Sequence, residues 1–377
     1  MMQDEKRKKE PPGSGTIPAS RAEPRSLVPP LHVAVLANLK KDVPHPDEAP
    51  PDENVEYDRE ETVEAILAAL RTAGHRTTFL NGDATLIDTL RQTRPDICFN
   101  ICEGLHGDAR EAQVPALLEM LGIPYTGSRV LANAISLDKT ITKRLWRDRG
   151  LPTVPFQVFS DIESTLRSTL RFPLFVKPLR EGSGKGVGPS SIVQTPQDLR
   201  DQVQRILQDY HQPALVEGFL PGREFTVGVL GNASHAKRRA NPDLYGNDGF
   251  HYFPVLEIDP NVGAGRGVYG AQAKLISPGE EGAPLYLCPA DIPPSLQKEM
   301  YRLTRSAFLS IGAADCSRVD FRLNAEGEPN LVEINTLPGL NPQVSDLCII
   351  ARAEGLAYDV LINEILNLAL ERYGLML

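Results

Sequence analysis

Three short segments carry residue types whose spacing could handle a nucleoside triphosphate. In FVKPLREGSGKGVG an apolar run reaches Lys177, and Gly182, Ser183, Gly184, Gly186 and Gly188 follow. Glycines let backbone N–H groups converge on an anion without interference from Cβ, and Lys177 and Lys185 add positive charge. It is no Walker A loop, because Gly186 rather than Ser or Thr follows Lys185. A flexible hairpin tip is the ordinary alternative. Further on, SRVDFRLNAEGEPNLVEINTLPG puts Asp320 on one expected strand and Glu333 and Asn335 two apart on the next. A two-residue offset keeps two side chains on one face of a strand, and hairpin pairing would bring Asp320 beside them. Three hard oxygen donors beside a phosphate loop suit a Mg²⁺–nucleotide. A solvated polar face is the alternative, weakened by the interleaved Phe321, Leu323, Leu331, Val332 and Ile334, among which an unpaired charge is costly.

The third segment, LVEGFLPGREFTV, sets Glu217, Leu220 and Glu224 around a turn. An adenine needs an apolar wall with main-chain hydrogen bonds, and a ribose diol suits a carboxylate. On its own this is an ordinary hairpin. GRGVYG (Gly265, Gly267, Gly270) fits G-x-G-x-x-G, yet AQAKLISPGEEGAP after it reads as no helix, so it is taken as a mobile loop that ends near Lys274.

The elements that would position these residues alternate. LHVAVLANL, HRTTFLNG, PDICFNIC and the short IPYTG read as strands, and REETVEAILAALRTAG, TLIDTLRQTR and AREAQVPALLEMLG as helices between them. That order indicates a doubly wound parallel sheet. Its first βα turn lacks a glycine fingerprint, so no dinucleotide is expected there. A linking helix (DKTITKRLWRDRG) leads into a mixed α+β region. There TPQDLRDQVQRILQDY is an amphipathic helix with Thr195 as N-cap, and ALVEGFLPGREFTVGVLG is strand–turn–strand. Two Gly/Pro-rich insertions, about 231–250 and 259–285, precede the helix SLQKEMYRLTRSAFLSIG, and AYDVLINEILNLALERYG closes the chain. No internal repeat is visible.

Composition bounds the possibilities. The 377 residues, 41% apolar and 24% charged, suit a globular protein of two or three lobes. A net charge of −9 argues against non-specific nucleic-acid binding. No apolar run is long enough to span a membrane, and the basic N-terminus MMQDEKRKKEPPGSG lacks the apolar stretch of a secretory signal. Five scattered cysteines (Cys98, Cys102, Cys288, Cys316, Cys348) read as reduced thiols of a cytoplasmic protein.

In order and spacing these segments resemble the ATP-grasp fold, and within it the D-alanine–D-alanine ligase family. The densest matches are FNICEGLHGDAREAQVPALLEMLGIPYTGS, LDKTITKRLWRDRGLPT, FVKPLREGS, VEGFLPGREFTV, SRVDFRL and EINTLPGLNP. The resemblance implies a ligase that uses ATP and two Mg²⁺ ions, with Mn²⁺ able to substitute, to activate a carboxylate as an acyl phosphate for an amine. It implies peptidoglycan precursor synthesis, amino-acid substrates and a possible homodimer. Carried over by position, Lys139, Lys177 and Lys274 contact phosphates, Glu217 and Leu220 form the adenine turn, and Glu224 binds ribose. Asp320, Glu333 and Asn335 ligate metal, while Arg318, Ser183 and the Gly339 amide serve the reacting groups.

Two departures lie at the amino-acid end. The acid that binds the first substrate's ammonium aligns only approximately, with Glu56, or else Glu53 or Asp58. Leu275 stands where the family has tyrosine, and Tyr269 is the one nearby candidate to replace it. The expected lobes are a disordered tail 1–30, a substrate lobe 31–134, a central clasp 135–225 and a C-terminal clasp 226–377. The rival readings are a ligase for other amino or hydroxy acids and a catalytically silent nucleotide-binding scaffold.

Overall fold

The computed structural model describes residues 30–46, 48–233, 241–265 and 267–376. The tail expected over 1–30 lies outside them except for Pro30. The N-terminal sheet is parallel, in the order β2 (Arg76–Asn81), β1 (His32–Ala37), β3 (Ile97–Asn100). Side chains alternate across it: Val33, Val35 and Ala37 pack with Val63 and Ile66 of α1 (Glu60–Thr72). Ala34 and Leu36 face Leu86 and Leu90 of α2 (Leu86–Thr93) on the opposite side. Both faces are covered, which is why β1 is buried at every position and apolar from Val33 to Ala37. The strand expected at IPYTG is reduced to one bridge, Tyr125 to Cys98.

The helix expected to begin near residue 109 starts as a 3-10 turn, and α3 proper spans Gln113–Leu121. The next helix, α4 (Val130–Leu137), has an apolar sequence without a clear polar face and was not foreseen. It leads into α5 (Lys139–Asp148), capped by Asp138, whose carboxylate accepts the Thr140 and Ile141 amides at 3.0 Å.

The second sheet is antiparallel, in the order β4 (Phe156–Phe159), β7 (Ala214–Gly218), β5 (Leu174–Pro178), β6 (Ile192–Val193). One face is covered by α6 (Pro196–Asp209), with Thr195 as the expected N-cap, which also closes a capping box with Asp198. The third sheet is built on β8 (Glu224–Gly231), flanked on one side by β9 (Phe250–Tyr252) and β10 (Leu256–Asp259). The one-turn helix α7 (Ala271–Lys274) and β11 (Leu285–Leu287) follow, then α8 (Pro294–Ile311). β12 (Asp315–Leu323) and β13 (Pro329–Asn335) complete the sheet, and α9 (Asp346–Glu354) and α10 (Tyr358–Arg372) end the chain.

Two expectations need correction. LVEGFLPGREFTV is not a hairpin: β7 pairs with β4 and β5, whereas β8 pairs with β9, β10 and β12. The turn between them is tied to the end of β12, through Gly222 N–H to Leu323 O at 3.1 Å and Leu323 N–H to Arg223 O at 3.0 Å. It therefore joins two sheets. The segment after Gly270, read as non-helical, contains the single turn α7.

The cores are unequal. One apolar cluster runs from β1 and α1 through α9 and α10 to Phe253 and Leu256. Trp146 of α5 is buried with Phe225, Leu303 and Phe308 against the third sheet and α8. The second sheet keeps a separate core with α6. No helix among the described residues is long and apolar enough to cross a membrane.

Candidate active site

The pairing of β12 with β13 sets Asp320 opposite Glu333 and Arg318 opposite Asn335. Asp320 accepts from Arg318 Nε at 2.9 Å, Thr226 Oγ1 at 2.6 Å and Asn335 Nδ2 at 3.2 Å. On the same sheet Glu224, at the start of β8, meets Arg322 at 3.2 Å. Burial pushes the Glu224 carboxyl up to about 7, partly offset by Arg322 and Lys274.

Facing this sheet stand lysines from two other elements. Lys139 and Lys143, one turn apart on α5, point the same way. Lys143 and Lys177 hold Glu217 between them at 2.7 and 3.1 Å, and Lys139 lies 3.6 Å from Glu333. Lys139 also donates to the Glu181 carbonyl. Burial alone would raise the Glu333 carboxyl, but Lys139, Lys177, Lys274 and Arg318 outweigh it and hold it far below the usual carboxylate range. Burial is likewise outweighed at Glu217, which Lys143 and Lys177 keep ionised. The result is a largely buried cationic patch with Glu217 and Glu333 set among its lysines, which suits polyanionic phosphate.

Two cavities meet at this patch and share Lys139, Glu181, Tyr269, Lys274 and Glu333. The first continues toward the turn between β7 and β8, where Phe175, Phe219 and Leu220 supply apolar walls. The second opens toward the first lobe and is lined by Glu56, Ser183, Leu275, Arg318 and Gly339.

The Gly-rich loop of the second sheet and the 259–285 segment close over the junction. Ala271 N–H donates to Gly184 O at 3.2 Å. A Cβ on Gly184, which has φ +71°, would lie 2.8 Å from Ala271 N, so only glycine permits this approach. Lys274 sits 4.9 Å above the Tyr269 ring. The Tyr269 hydroxyl donates to Asp346 Oδ1 at 2.9 Å, and Asp346 Oδ2 meets Arg318 at 3.2 Å. The closing segment thus reaches Arg318 through Tyr269 and Asp346, where the Tyr269 hydroxyl is engaged. Asp346→Asn is expected to lower turnover about tenfold while leaving the KM for ATP unchanged, because one anchor of a preorganised cation is lost. Tyr269→Phe, losing one neutral hydrogen bond, should cost about threefold. Steady-state kinetics of both variants checks this, and wild-type kcat in Asp346→Asn would remove the link.

In the second cavity Glu56 is already engaged: Arg110 meets it at 2.6 Å and the Gly182 amide donates to it. Arg110 also pairs with Glu181 at 3.1 Å. Glu53 pairs with Lys185 at 3.0 Å and does not line the second cavity, whereas Asp58 does. Ser183 is held at φ +48°, and Leu275 is 44% exposed at the mouth.

The family profile described as D-ala D-ala ligase C-terminus matches residues 145–367. A D-alanine–D-alanine ligase of Pelotomaculum thermopropionicum is 32% identical over 83% of this chain and 92% of its own. The chain belongs to the D-alanine–D-alanine ligase family. Members are ATP-dependent ligases that form a peptide bond. An uncharacterized protein of Sinorhizobium fredii, y4sG, is 35% identical over 82% of this chain and 88% of its own. The crystal structure of the Bacillus anthracis D-alanine–D-alanine ligase complexed with ATP has a TM-score of 0.67 at 19% identity. It covers 91% of this chain and 99% of that one, which establishes the ATP-grasp fold.

Against that family pattern, several residues here escape sequence reasoning. Lys143 and Arg322 are committed to Glu217 and Glu224, and Asp346 and Arg110 reach the site from loops or helix starts. Only Lys143 had a legible signal, its four-residue spacing from Lys139 in DKTITK. Four of the five cysteines are buried, Cys288 partly so, and all are free. Among the described residues no three His, Cys, Asp or Glu side chains cluster closely enough to hold a metal by themselves.

Proposed function

We propose that this chain activates an amino acid's carboxylate with ATP as an acyl phosphate and joins it to the amine of a second amino acid. The observation that carries this is the junction of the two cavities. Lys139, Lys274 and Glu333 stand where the nucleotide side and the carboxylate side meet. In this reading the adenine lies against Phe175 and Leu220, near Glu217, and Glu224 takes the ribose hydroxyls. Lys139, Lys177 and Lys274 bind the phosphates, and their charge eases attack of the carboxylate on the γ-phosphorus. Arg318 and the Gly339 N–H face the developing oxyanion when the amine attacks, and Ser183 holds the substrate region.

Asp320, Glu333 and Asn335 form a set of hard oxygen donors beside the phosphate end. Their small number fits Mg²⁺, which takes one or two carboxylates and completes its shell with phosphate oxygens and water. Bound there, two Mg²⁺ ions would supply positive charge to the transferring phosphoryl group. Closure by α7 and the Gly-rich loop excludes water that would hydrolyse the acyl phosphate.

The lobes follow the same division: 31–134 for the amino acid, 135–225 and 226–377 as the two halves of the ATP clasp. The D-alanine pair, and with it a cytoplasmic role in cell-wall precursor synthesis by a homodimer, is the family's reference reaction. A close relative with an altered substrate suits the engaged Glu56 better. ADP and phosphate release across D- and L-amino acids and D-lactate tests the reading. Amino-acid-dependent release supports it, and ATP binding without release from any pair would make the chain a silent scaffold.

A further inference from the structure

The second cavity, about 570 Å³, ends on a wall built by the first lobe. Asp58, Glu103 and Glu111 line it, and among the described residues none of these three side chains has a hydrogen bond or an ion pair. Glu111 is only 9% exposed. Of the cations near this wall, Arg110 is committed to Glu56 and Glu181, Lys139, which also acts on Glu111, lies against Glu333 and the Glu181 carbonyl, and Arg59 lies exposed. Burial pushes Asp58 and Glu111 up to about 7, and burial together with Glu111 and Glu56 drives Glu103 well above the carboxylate range.

Carboxyl groups that face a cavity without hydrogen-bond or ion-pair partners are complementary to an incoming cation, whose charge would favour their ionised forms against the burial that disfavours them. One ammonium brings a single charge and three N–H donors, too little for three acids. A side-chain ammonium or guanidinium brings the rest, and the cavity has room for a side chain longer than methyl. Lys139 and Lys274 line the same cavity, and on the ligase reading the carboxylate belongs against them.

We propose that the first substrate is an amino acid with two cationic groups, held by Asp58, Glu103 and Glu111. This rests on the ligase reading for the position of its carboxylate. Of the wall residues, Glu111 acts on Glu103 more strongly than Asp58 does, and Glu103 and Glu111 are therefore the pair to change.

The test is titration calorimetry of the full chain with Mg²⁺ and a non-hydrolysable ATP analogue. Lysine, ornithine and arginine of either hand are compared with alanine and with norleucine, the neutral counterpart of lysine. At least one basic acid is expected to bind about tenfold to a hundredfold tighter than norleucine, as hydrogen bonds between charged groups allow. That preference should shrink to about twofold in the double variant Glu103→Gln, Glu111→Gln, whose unchanged affinity for the nucleotide analogue shows that it folds. Equal or tighter binding of norleucine or alanine, no binding by any basic acid, or an undiminished preference in the double variant each overturns the proposal. ADP release separates the two readings. Basic acids that bind but are never consumed defeat the ligase reading alone, and turnover of alanine without a preference for basic acids defeats the cationic wall alone.

Discussion

Glu333→Gln is expected to lower turnover by about 10²–10³-fold, the scale of removing one preorganised charge from a water-excluded site. Four cations, Lys139, Lys177, Lys274 and Arg318, converge on this carboxylate and hold it ionised. Glutamine keeps the shape and an acceptor oxygen but removes the charge, so the cations repel one another and lose their common anchor. ATP, itself an anion, gains rather than loses attraction to such a patch. The KM for ATP should therefore change little or fall, while kcat collapses and the Mg²⁺ needed for half-maximal rate rises. Glu326→Gln, on the exposed turn of the same hairpin, is the matched control. Kinetics at varied Mg²⁺ decides the matter, and near-normal kcat in purified Glu333→Gln would remove Glu333 from the reaction.

Gly270→Ala should be nearly as damaging for a different reason. Gly270 has φ −97°, which any residue adopts, so alanine strains nothing locally. Its methyl would, however, fall inside the van der Waals envelope of the Val187 carbonyl on the Gly-rich loop. The closing segment and the loop must then stand apart, and misplacement of about 1 Å near a reacting centre can cost about 10²-fold. The expected signature is a kcat loss of that size with an unchanged melting temperature. Proteolytic nicking in 259–275 is expected to be suppressed by ATP in the wild type and to persist in the variant. Protection by ATP equal to the wild type, with normal kcat, would show that the two segments need not touch.

The sequence made some of this legible for a clear reason. Asp320, Glu333 and Asn335 obey a local rule, because strand period and hairpin pairing decide which side chains share a face. The covered parallel sheet was likewise readable from the unbroken apolar run of β1. The turn at Glu217–Glu224 was not, since strand–turn–strand says nothing about which sheet each strand joins. Nor was Asp346, whose importance arises only where α9 begins beside Arg318. The engagement of Glu56 by Arg110 depends on a contact 54 residues away. No pattern in one segment announces it.

The shared apolar cluster of β1, α1, α9 and α10 has a mechanical consequence. It welds the first and last parts of the chain into one block, with Asn363 of α10 donating to Ala69 of α1 at 2.9 Å. The middle sheet has its own core and touches the first lobe largely through polar links such as Lys185–Glu53 and Tyr210–Asp52. Such links exchange readily with water, whereas a welded hydrocarbon seam does not. The part with the weakest hold on the others is therefore the middle one, and it joins the third sheet through the 219–223 turn, beside the proposed adenine pocket. If that pocket holds the base, opening the middle part and loosening the grip on the base would be a single motion, and spent nucleotide would leave as the clasp opens rather than afterwards.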